Sequence, residues 1–280
     1  MNIDSGRPDQ VVDDDTPIWR YMDLPKFVAM LATNSLHFTK LAKFSDDPYE
    51  GFGRATALPI PSGDSGAKWV TRSHPDGRTT QMSQAEWFAD LSQRSAREVE
   101  DARELLYVNS WCRGPESFAM WEIYGASGRG IAVQSSISDY KRAVRFNVRQ
   151  EQYRFSDVEY HMDINACAAL RPDFSQGTVP VPGPGMWPML LEFALHKRSC
   201  YDYEREWRAV LYQDHRPEIE GVDIAVDPDV LVGAVYVGPR SESFLYNAVS
   251  SIMEKFELRR PLVRSSLLCP PKKEAPASAG

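Results

Sequence analysis

The chain has 280 residues, of which 42% are hydrophobic and 25% are charged, and its formal net charge is −7. This composition excludes an intrinsically disordered chain and a collagen-like repeat. No apolar run reaches the roughly 20 residues that a membrane-spanning helix needs, and the acidic first residues do not resemble a signal peptide. We therefore expect a globular, cytoplasmic protein with no membrane partner.

Both ends of the chain are predicted to be disordered tails that flank one folded domain. Residues 1–17 are rich in aspartate, and residues 269–280 lack apolar periodicity. Residues 18–268 are then expected to form a single domain. Its lysines and arginines make no basic block in the sequence, so the charge does not indicate nucleic acid as the main ligand. Local basic patches in the fold remain an open alternative.

Helix and strand signals do not alternate as they do in a doubly wound parallel sheet. Asp23 can cap a short helix, and Ser83 with Glu86 forms a capping box for a long one. Pro115 suits the first turn of a third helix, and apolar spacing predicts two more over 189–197 and 241–256. Strands are predicted over 36–38, 106–111, 130–134, 153–160, 204–212, 222–226, 231–237 and 261–264. The pattern predicts an α+β fold with a mixed or antiparallel sheet flanked by helices.

The cysteines and histidines lack the local spacing of metal ligands. Four cysteines lie far apart and never form a C-x-x-C pair, and five histidines show no H-E-x-x-H spacing. Zinc sites usually show such local pairs. We therefore expect reduced thiols and no metal site. The proline- and glycine-rich segment 171–188 is predicted to be a mobile surface loop.

An acidic segment near the N-terminus contains Asp46, Asp47 and Glu50. Because Pro48 follows Asp47, this residue is biased toward an extended conformation, and its carboxylate can bond backbone amides in a turn. We predict that Asp47 is mainly structural. The alternative is that the three carboxylates hold a hydroxylated ligand or a cation.

Aromatic residues follow the predicted strand over 106–111. Trp111, Trp121 and Tyr124 offer flat faces on which a purine or nicotinamide ring could stack. The alternative is that these residues belong to the hydrophobic core, as aromatic stripes on helices usually do.

The segment around Glu204 carries the sharpest chemical pattern. If residues 204–212 form one strand, alternation puts Glu204, Glu206 and Arg208 on the same face. Two carboxylates at this spacing repel each other unless Arg208 or Lys197 compensates their charge. Such a pair can hydrogen-bond a ribose diol and stabilise positive charge on a sugar carbon. The alternative is an ion-paired strand face without catalytic function.

Three motifs together resemble a bacterial family catalogued as domain of unknown function 2971. The motifs are Asp47-Pro48-Tyr49-Glu50, Met120-Trp121-Glu122-Ile123-Tyr124 with Gly130, and Tyr203-Glu204-Arg205-Glu206-Trp207-Arg208. The resemblance covers about residues 18–268. Asp46 and Tyr201 depart from the family's asparagine and tryptophan. The family itself implies no activity.

The order of three further positions is similar to that of ADP-ribosyltransferases. These enzymes place a basic or histidine residue on an early strand, a serine on a middle strand and a Glu-x-Glu motif late in the chain. The resemblance implies that Arg20 holds the phosphate or ribose of NAD, and that Ser110 supports the strand that seats nicotinamide. It also implies that Glu206 stabilises the oxocarbenium-like sugar and that Glu204 orients the acceptor. The other residues expected to bind NAD are Tyr21, Trp111, Trp121, Tyr124 and Arg208.

The sequence therefore predicts an ADP-ribosyltransferase-like enzyme with NAD as co-substrate, in the role of a toxin or phage-defence effector. The acceptor macromolecule is not identified. A non-catalytic sensor module that binds a nucleotide or a partner is one alternative. A metal-dependent hydrolase or nuclease is the other, and its candidate ligands are Asp46, Asp47, Glu50, Glu204 and Glu206.

Overall fold

The computed structural model describes residues 15–44, 47, 50–51, 69–73, 77–83, 86, 101–149, 152–161, 191, 193–213 and 218–270. The strands are β1 (Pro17–Met22), β2 (Ser35–Lys40), β3 (Trp69–Ser73), β4 (Thr79–Ser83), β5 (Leu106–Arg113), β6 (Ile131–Ser136), β7 (Tyr153–Asp157), β8 (Glu159–His161), β9 (His196–Arg198), β10 (Glu206–Tyr212), β11 (Gly221–Ala225), β12 (Ala234–Val237) and β13 (Leu262–Arg264). The α-helices are α1 (Leu24–Thr33), α2 (Phe118–Ile123), α3 (Ile137–Ala143), α4 (Pro228–Leu231) and α5 (Ser243–Lys255).

The chain divides into two compact units. Unit 1 draws on the segments Met1–Leu36, Trp111–Arg145 and Ile224–Gly280. Unit 2 draws on His37–Ser110 and Phe146–Asp223. The predicted domain boundaries at residues 17 and 268 stay predictions.

Unit 1 is built on strand β1, which pairs antiparallel with β6 on one side and with the end of β5 on the other. β6 pairs antiparallel with β12, and β12 pairs parallel with β13. Successive side chains of β1 point to opposite faces of the sheet. On one face Trp19 and Tyr21 pack with Cys112, Met120 and Trp121 in a buried cluster. This face is therefore part of the hydrophobic core.

The helices of unit 1 begin at side-chain caps that local sequence predicts. The Asp23 carboxylate accepts a hydrogen bond from the Lys26 N–H at 2.9 Å, at the start of α1. At α2 the Ser117 hydroxyl accepts from the Met120 N–H at 3.4 Å. Such caps satisfy amides that have no partner inside the helix.

A close backbone approach in unit 1 requires glycine at position 238. A Cβ atom on Gly238 would lie 2.4 Å from the carbonyl oxygen of Gly128, closer than real Cβ contacts come. Gly128 itself has a φ of +77°, in the left-handed region that favours glycine. The turn before β6 therefore packs directly against the end of β12.

Unit 2 contains a second set of paired strands. β2 pairs antiparallel with β5, β10 pairs antiparallel with β7, and β10 also pairs with β5. β3 and β4 form an antiparallel pair, and β8 and β9 form a parallel pair. Buried apolar side chains make one core cluster of this unit: Leu41, Leu106, Val108, Leu191, Ala194, Leu195, Val210 and Tyr212.

The predicted α+β class, with a mixed and mainly antiparallel sheet, is confirmed by these pairings. The capping box is also present, because the Glu86 N–H donates to the Ser83 hydroxyl at 3.2 Å while the Ser83 N–H donates to the Glu86 carboxylate at 2.8 Å. Among the described helices, none is both long and apolar enough to cross a membrane. The predicted loop over 171–188 lies outside the described residues.

Several element boundaries differ from the prediction. Pro115 lies outside the helix that it was expected to begin, because α2 starts at Phe118 after the Ser117 cap. The strand expected over 204–212 begins at Glu206, because Arg205 has a left-handed φ of 45° that interrupts an extended chain. The strand expected over 153–160 is divided into β7 and β8. The strand expected over 231–237 begins only at residue 234, as β12, because residue 231 is the last residue of α4. The helix expected over 189–197 gives way to a short 3-10 turn at residues 193–195 and then to β9. Pairing of β9 with β8 supplies hydrogen bonds that an apolar run alone does not reveal.

Buried tyrosines of unit 1 provide a test of this packing. Burial raises the pKa of Tyr140 and of Tyr21 above the ordinary value of 10.0. In the unfolded chain both hydroxyls ionise near that value, so the stability they contribute is complete below pH 10 and falls as the pH rises further. Tyr140 should therefore ionise only when the protein unfolds at alkaline pH. We expect Tyr140→Phe to reduce the tyrosinate absorbance that appears on unfolding and to leave the absorbance that appears at lower pH unchanged.

The matched control is Tyr124→Phe, because the Tyr124 side chain is 41% exposed. This substitution leaves Tyr140 in place, so the absorbance that Tyr140 contributes on alkaline unfolding should be unchanged. A Tyr140→Phe variant that loses absorbance while the protein is still folded would contradict the predicted packing.

Candidate functional site

Unit 2 buries a group of five charged side chains that we call the carboxylate cluster. It consists of Glu50, Glu204, Glu206, Lys197 and Arg208, and all five are buried. Three carboxylates face two cations, so the cluster holds one negative charge in excess when every group is ionised. Burial of so many charges is tolerated only because each has partners of opposite sign.

Arg208 forms the buried centre of this cluster. Its side chain has 0% exposure, and its guanidinium donates to the carboxylates of Glu206 and Glu50 and to the carbonyl oxygen of Ala194 at 2.6 Å. Burial by itself lowers the pKa of Arg208, but the charges of Glu206 and Glu50 outweigh this effect and hold the pKa above its usual value. Arg208 therefore keeps its charge and fixes both carboxylates.

Lys197 is the cation that all three carboxylates share. Its Nζ atom lies 2.5 Å from Glu204 Oε2, 3.5 Å from Glu206 Oε1 and 3.7 Å from Glu50 Oε2. Burial lowers the pKa of Lys197, whereas the negative charges of Glu206 and Glu50 raise it, and the net direction is upward. Lys197 and Arg208, the two cations predicted to compensate the charge of the carboxylates, therefore both contact them.

The two glutamates of the Glu-x-Glu motif lie in different backbone elements but contact the same lysine. Glu204 ends the 3-10 turn Ser199–Glu204, the left-handed Arg205 follows, and Glu206 begins β10. The prediction that Glu204 and Glu206 share one strand face was wrong for this reason. Lys197 joins the two carboxylates instead. Of the three carboxylate side chains Glu206 is the most exposed, at 10%, against 3% for Glu50 and 1% for Glu204.

Strands β8 and β9 form a two-stranded ribbon beside the carboxylate cluster. Lys197 lies on β9, and Tyr160 lies opposite it on β8. The Glu206 N–H donates to the Tyr160 hydroxyl at 2.9 Å. Burial raises the pKa of Tyr160 well above its ordinary range, so this hydroxyl stays protonated. The ribbon thus contacts Glu206 through two of its side chains.

Asp47 is buried and pairs with a cation of the same ribbon. Its Oδ1 atom accepts from Arg198 Nη2 at 2.8 Å, and its carbonyl oxygen accepts from the Glu50 N–H at 3.0 Å. Asp47 thus ties the turn that carries Glu50 to strand β9. Asp46, the third member of the predicted acidic group, lies outside the described residues.

The residues of unit 1 that were predicted to bind NAD fall into two groups. Tyr21 contacts Trp121, with ring centroids 5.0 Å apart, in the cluster on one face of β1. Arg20 points to the opposite face, and its charge interacts with the hydroxyl of Tyr140, whose ring lies 5.6 Å from that of Trp111. The tryptophan rings are packed in the core, with exposures of 1% for Trp111 and 0% for Trp121.

Two further residues that were predicted to bind NAD, Tyr124 and Ser110, belong to neither of these groups. Tyr124 follows α2 and is exposed. Ser110 lies on β5 in unit 2, and its buried hydroxyl has no hydrogen-bond partner among the described residues. A hydroxyl in this state can still donate to a ligand or to water.

Sequence reasoning missed one group of metal-ligand side chains in unit 2. Glu159, His161 and His196 each place a donor atom within 4.8 Å of the other two. The local signal was Glu-x-His on a short strand, since residues two apart share a strand face. The partner histidine comes from β9, 35 residues later than His161, and no local spacing indicates it.

The four predicted hydrolase ligands that the structure describes, Asp47, Glu50, Glu204 and Glu206, do not form an open metal site. Asp47, Glu50, Glu204 and Glu206 all have arginine or lysine partners. These cations occupy the carboxylate oxygens and repel a divalent ion. The geometry therefore disfavours the predicted hydrolase ligands.

Three solved structures of DarT from Thermus sp. 2.9 are similar to this chain over most of its length. The complex with carba-NAD+ is 12% identical with a TM-score of 0.34, and the match covers 90% of this chain and 95% of that chain. The complex with NAD+ is 10% identical with a TM-score of 0.34, covering 90% and 96%. The complex with ADP-ribosylated ssDNA is 11% identical with a TM-score of 0.35, covering 89% and 93%.

No family model matches the sequence, and no curated protein matches it. The resemblance to domain of unknown function 2971 is therefore not confirmed.

The pairing of Arg208 predicts a large loss of stability when its charge is removed. Arg208→Met leaves Glu50 and Glu206 buried with only Lys197 to compensate them. We expect the free energy of unfolding to fall by about 3–5 kcal/mol, the usual result of breaking a buried ion pair from one side. Urea unfolding followed by tryptophan fluorescence measures this change.

Arg240→Met is the matched control, because Arg240 pairs with Glu122 at 2.9 Å while its side chain is 45% exposed. Loss of an exposed pair costs about 0–1 kcal/mol. Equal losses in the two variants would refute the central role of Arg208.

Asp47 is predicted to contribute to stability through its turn. Asp47→Ala removes a buried acceptor of Arg198 and should lower the free energy of unfolding by about 1–2 kcal/mol. Asp223→Ala, at a side chain that is 62% exposed, is the control and should change stability by less than about 0.5 kcal/mol. An Asp47→Ala protein with an unchanged melting temperature but altered ligand binding would instead place Asp47 in the functional site.

Proposed function

We propose that this protein is an ADP-ribosyltransferase-like enzyme that uses NAD as co-substrate and Glu206 as its charge-stabilising carboxylate. One observation carries the proposal: Glu206 is the most exposed carboxylate of a cluster with one negative charge in excess, and Arg208 and Lys197 fix its position. A carboxylate that is held in place needs little reorganisation when positive charge develops beside it.

In the proposed reaction, the bond between the nicotinamide nitrogen and ribose C1 breaks, and nicotinamide leaves as a neutral molecule. The positive charge that remains is shared by C1 and the ring oxygen, next to the Glu206 carboxylate. A nucleophilic atom of the acceptor then forms a bond to C1 and releases its proton to solvent. The enzyme contributes mainly a fixed charge and the exclusion of water.

The second glutamate has a supporting role in this proposal. The Glu204 side chain is 1% exposed and contacts Lys197, so it acts on the reaction by holding that lysine against Glu206. The order of residues in the sequence implies that Glu204 orients the acceptor. Because Glu204 is buried against Lys197, it would do so through that lysine. Arg208, which is 0% exposed, acts in this proposal by holding Glu206 and not by contacting NAD. The other NAD contacts that the residue order implies stay predictions.

Nicotinamide release from NAD tests the proposal with full-length protein. Glu206→Gln keeps the size of the side chain but removes its charge. We expect the rate of nicotinamide release to fall about 100- to 1000-fold, which corresponds to the roughly 3–4 kcal/mol that one such electrostatic contact contributes. If Glu204 orients the acceptor, Glu204→Gln should reduce transfer to an acceptor more than hydrolysis of NAD. If Glu204 acts only by holding Lys197 against Glu206, both rates should fall together.

Glu220→Gln is the control, because Glu220 is a carboxylate of the same unit with 84% exposure. Its rate should equal that of the wild type. A labelled-NAD assay with a cell lysate, and with single-stranded DNA in a parallel sample, identifies the acceptor. Expression of the same variants in bacterial cells tests the effector role. The wild type and Glu220→Gln should arrest growth, whereas Glu206→Gln should not.

Circular dichroism and urea unfolding establish that each variant is folded. A folded Glu206→Gln protein with wild-type nicotinamide release would overturn the mechanism. Tight binding of NAD by the wild type without any release would favour the sensor alternative.

A further inference from the structure

We propose that Glu159, His161 and His196 form a binding site for a divalent transition metal ion, with zinc as the ion that suits the geometry. We call these three residues the histidine group. They lie on the ribbon of β8 and β9, and they take no part in the reaction proposed above.

The distances within the histidine group let one ion reach all three donor atoms. His161 Nε2 lies 2.9 Å from His196 Nδ1 and 3.9 Å from Glu159 Oε2, and His196 Nδ1 lies 3.8 Å from the same carboxylate oxygen. The nearest point that is equidistant from three atoms at these separations lies in their plane, about 2.1 Å from each of them. This length equals the usual bond of zinc to imidazole nitrogen and carboxylate oxygen, about 2.0–2.2 Å.

The strand register places the donors in advance of any ion. Glu159 and His161 are two residues apart on β8 and therefore share one face of the ribbon. His196 pairs directly with Glu159 in the parallel register of β8 and β9. Backbone hydrogen bonding, rather than a flexible loop, thus fixes the three donor positions.

Donor chemistry favours a transition metal over magnesium or calcium. Two imidazoles and one carboxylate are the protein ligands of many zinc sites that keep an open position, whereas magnesium and calcium prefer oxygen donors. His196 is 3% exposed, His161 is 17% exposed and Glu159 is 40% exposed, so the group reaches solvent on the side of Glu159. Water or a small ligand can therefore complete the coordination.

Without a metal, one of the two facing nitrogens, His161 Nε2 or His196 Nδ1, donates a hydrogen bond to the other. A metal ion needs lone pairs on both facing nitrogens, so the ring protons then reside on His161 Nδ1 and His196 Nε2. The charge of neighbouring Arg198 opposes a cation, but the Asp47 carboxylate at 2.8 Å compensates it. Two imidazoles beside one carboxylate therefore suit a divalent ion.

Metal titration of the full-length protein tests the site. The protein is first treated with a chelator, and Zn²⁺ is then added in competition with a chromophoric chelator. We expect one zinc ion per chain, no displacement by excess Mg²⁺, and visible absorption of a four- or five-coordinate ion when Co²⁺ is used instead. His161→Gln should weaken zinc binding at least about 100-fold, since it removes one of three protein ligands.

His37→Gln is the matched control, because His37 is an exposed histidine of the same unit that hydrogen-bonds Asp223 at 2.8 Å. Its zinc affinity should equal that of the wild type. Glu159→Gln changes a more exposed ligand and should weaken binding at least about tenfold. This variant decides the question if His161→Gln does not fold.

Stoichiometric zinc in the wild type and in His37→Gln, with loss in the ligand variants, would support the site. Wild-type protein that binds neither Zn²⁺ nor Co²⁺ in a one-to-one ratio would overturn it. Wild-type affinity in a folded His161→Gln or Glu159→Gln protein would also overturn it.

Discussion

The burial of one guanidinium, that of Arg208, is the constraint on which the arrangement of unit 2 depends. An arginine does not lose its proton in a protein, so a buried arginine must find anionic and carbonyl partners or destabilise the fold. Arg208 has three such partners, Glu206 on its own strand, Glu50 from a distant turn, and the carbonyl group of Ala194. Because these groups come from separate segments, one cation fixes how the segments meet.

The second cation, Lys197, links this network to the ribbon of β8 and β9. It contacts three carboxylates that would otherwise repel one another, and the residue before it is His196. Alternation on a strand sends these neighbouring side chains to opposite faces. One face of the ribbon therefore carries Lys197 and Tyr160 toward the carboxylate cluster. The other face carries the histidine group.

The sequence predicts what alternation and capping determine, and it misses what distant pairing determines. The α+β class, the caps at Asp23 and Ser83, and the pairing of the Glu-x-Glu motif with Lys197 and Arg208 follow from local pattern and charge balance. The left-handed Arg205 could not be predicted, because a non-glycine residue with positive φ has no clear local signature.

Long-range partners explain most of the remaining differences. Glu50 contacts Arg208 across 158 positions in the chain, and His196 meets His161 only because two three-residue strands pair. The aromatic pattern predicted either stacking faces or core, and the burial of Trp111 and Trp121 agrees with the core alternative. Charge balance predicts that partners exist, but only the folded chain shows which residues they are.

The ribbon presents the two candidate sites on its two faces. Two three-residue strands form few hydrogen bonds, and an isolated pair of strands is at best marginally stable in water. Its order must therefore come from the side chains on its two faces, with Tyr160 and Lys197 held by the carboxylate cluster and the histidine group held by its own contacts. An ion bound at the proposed metal site would reduce the freedom of the backbone that also presents Lys197 and Tyr160. Because such coupling is mutual, contacts that fix Lys197 and Tyr160 would also help to hold the histidine group in position for a metal ion.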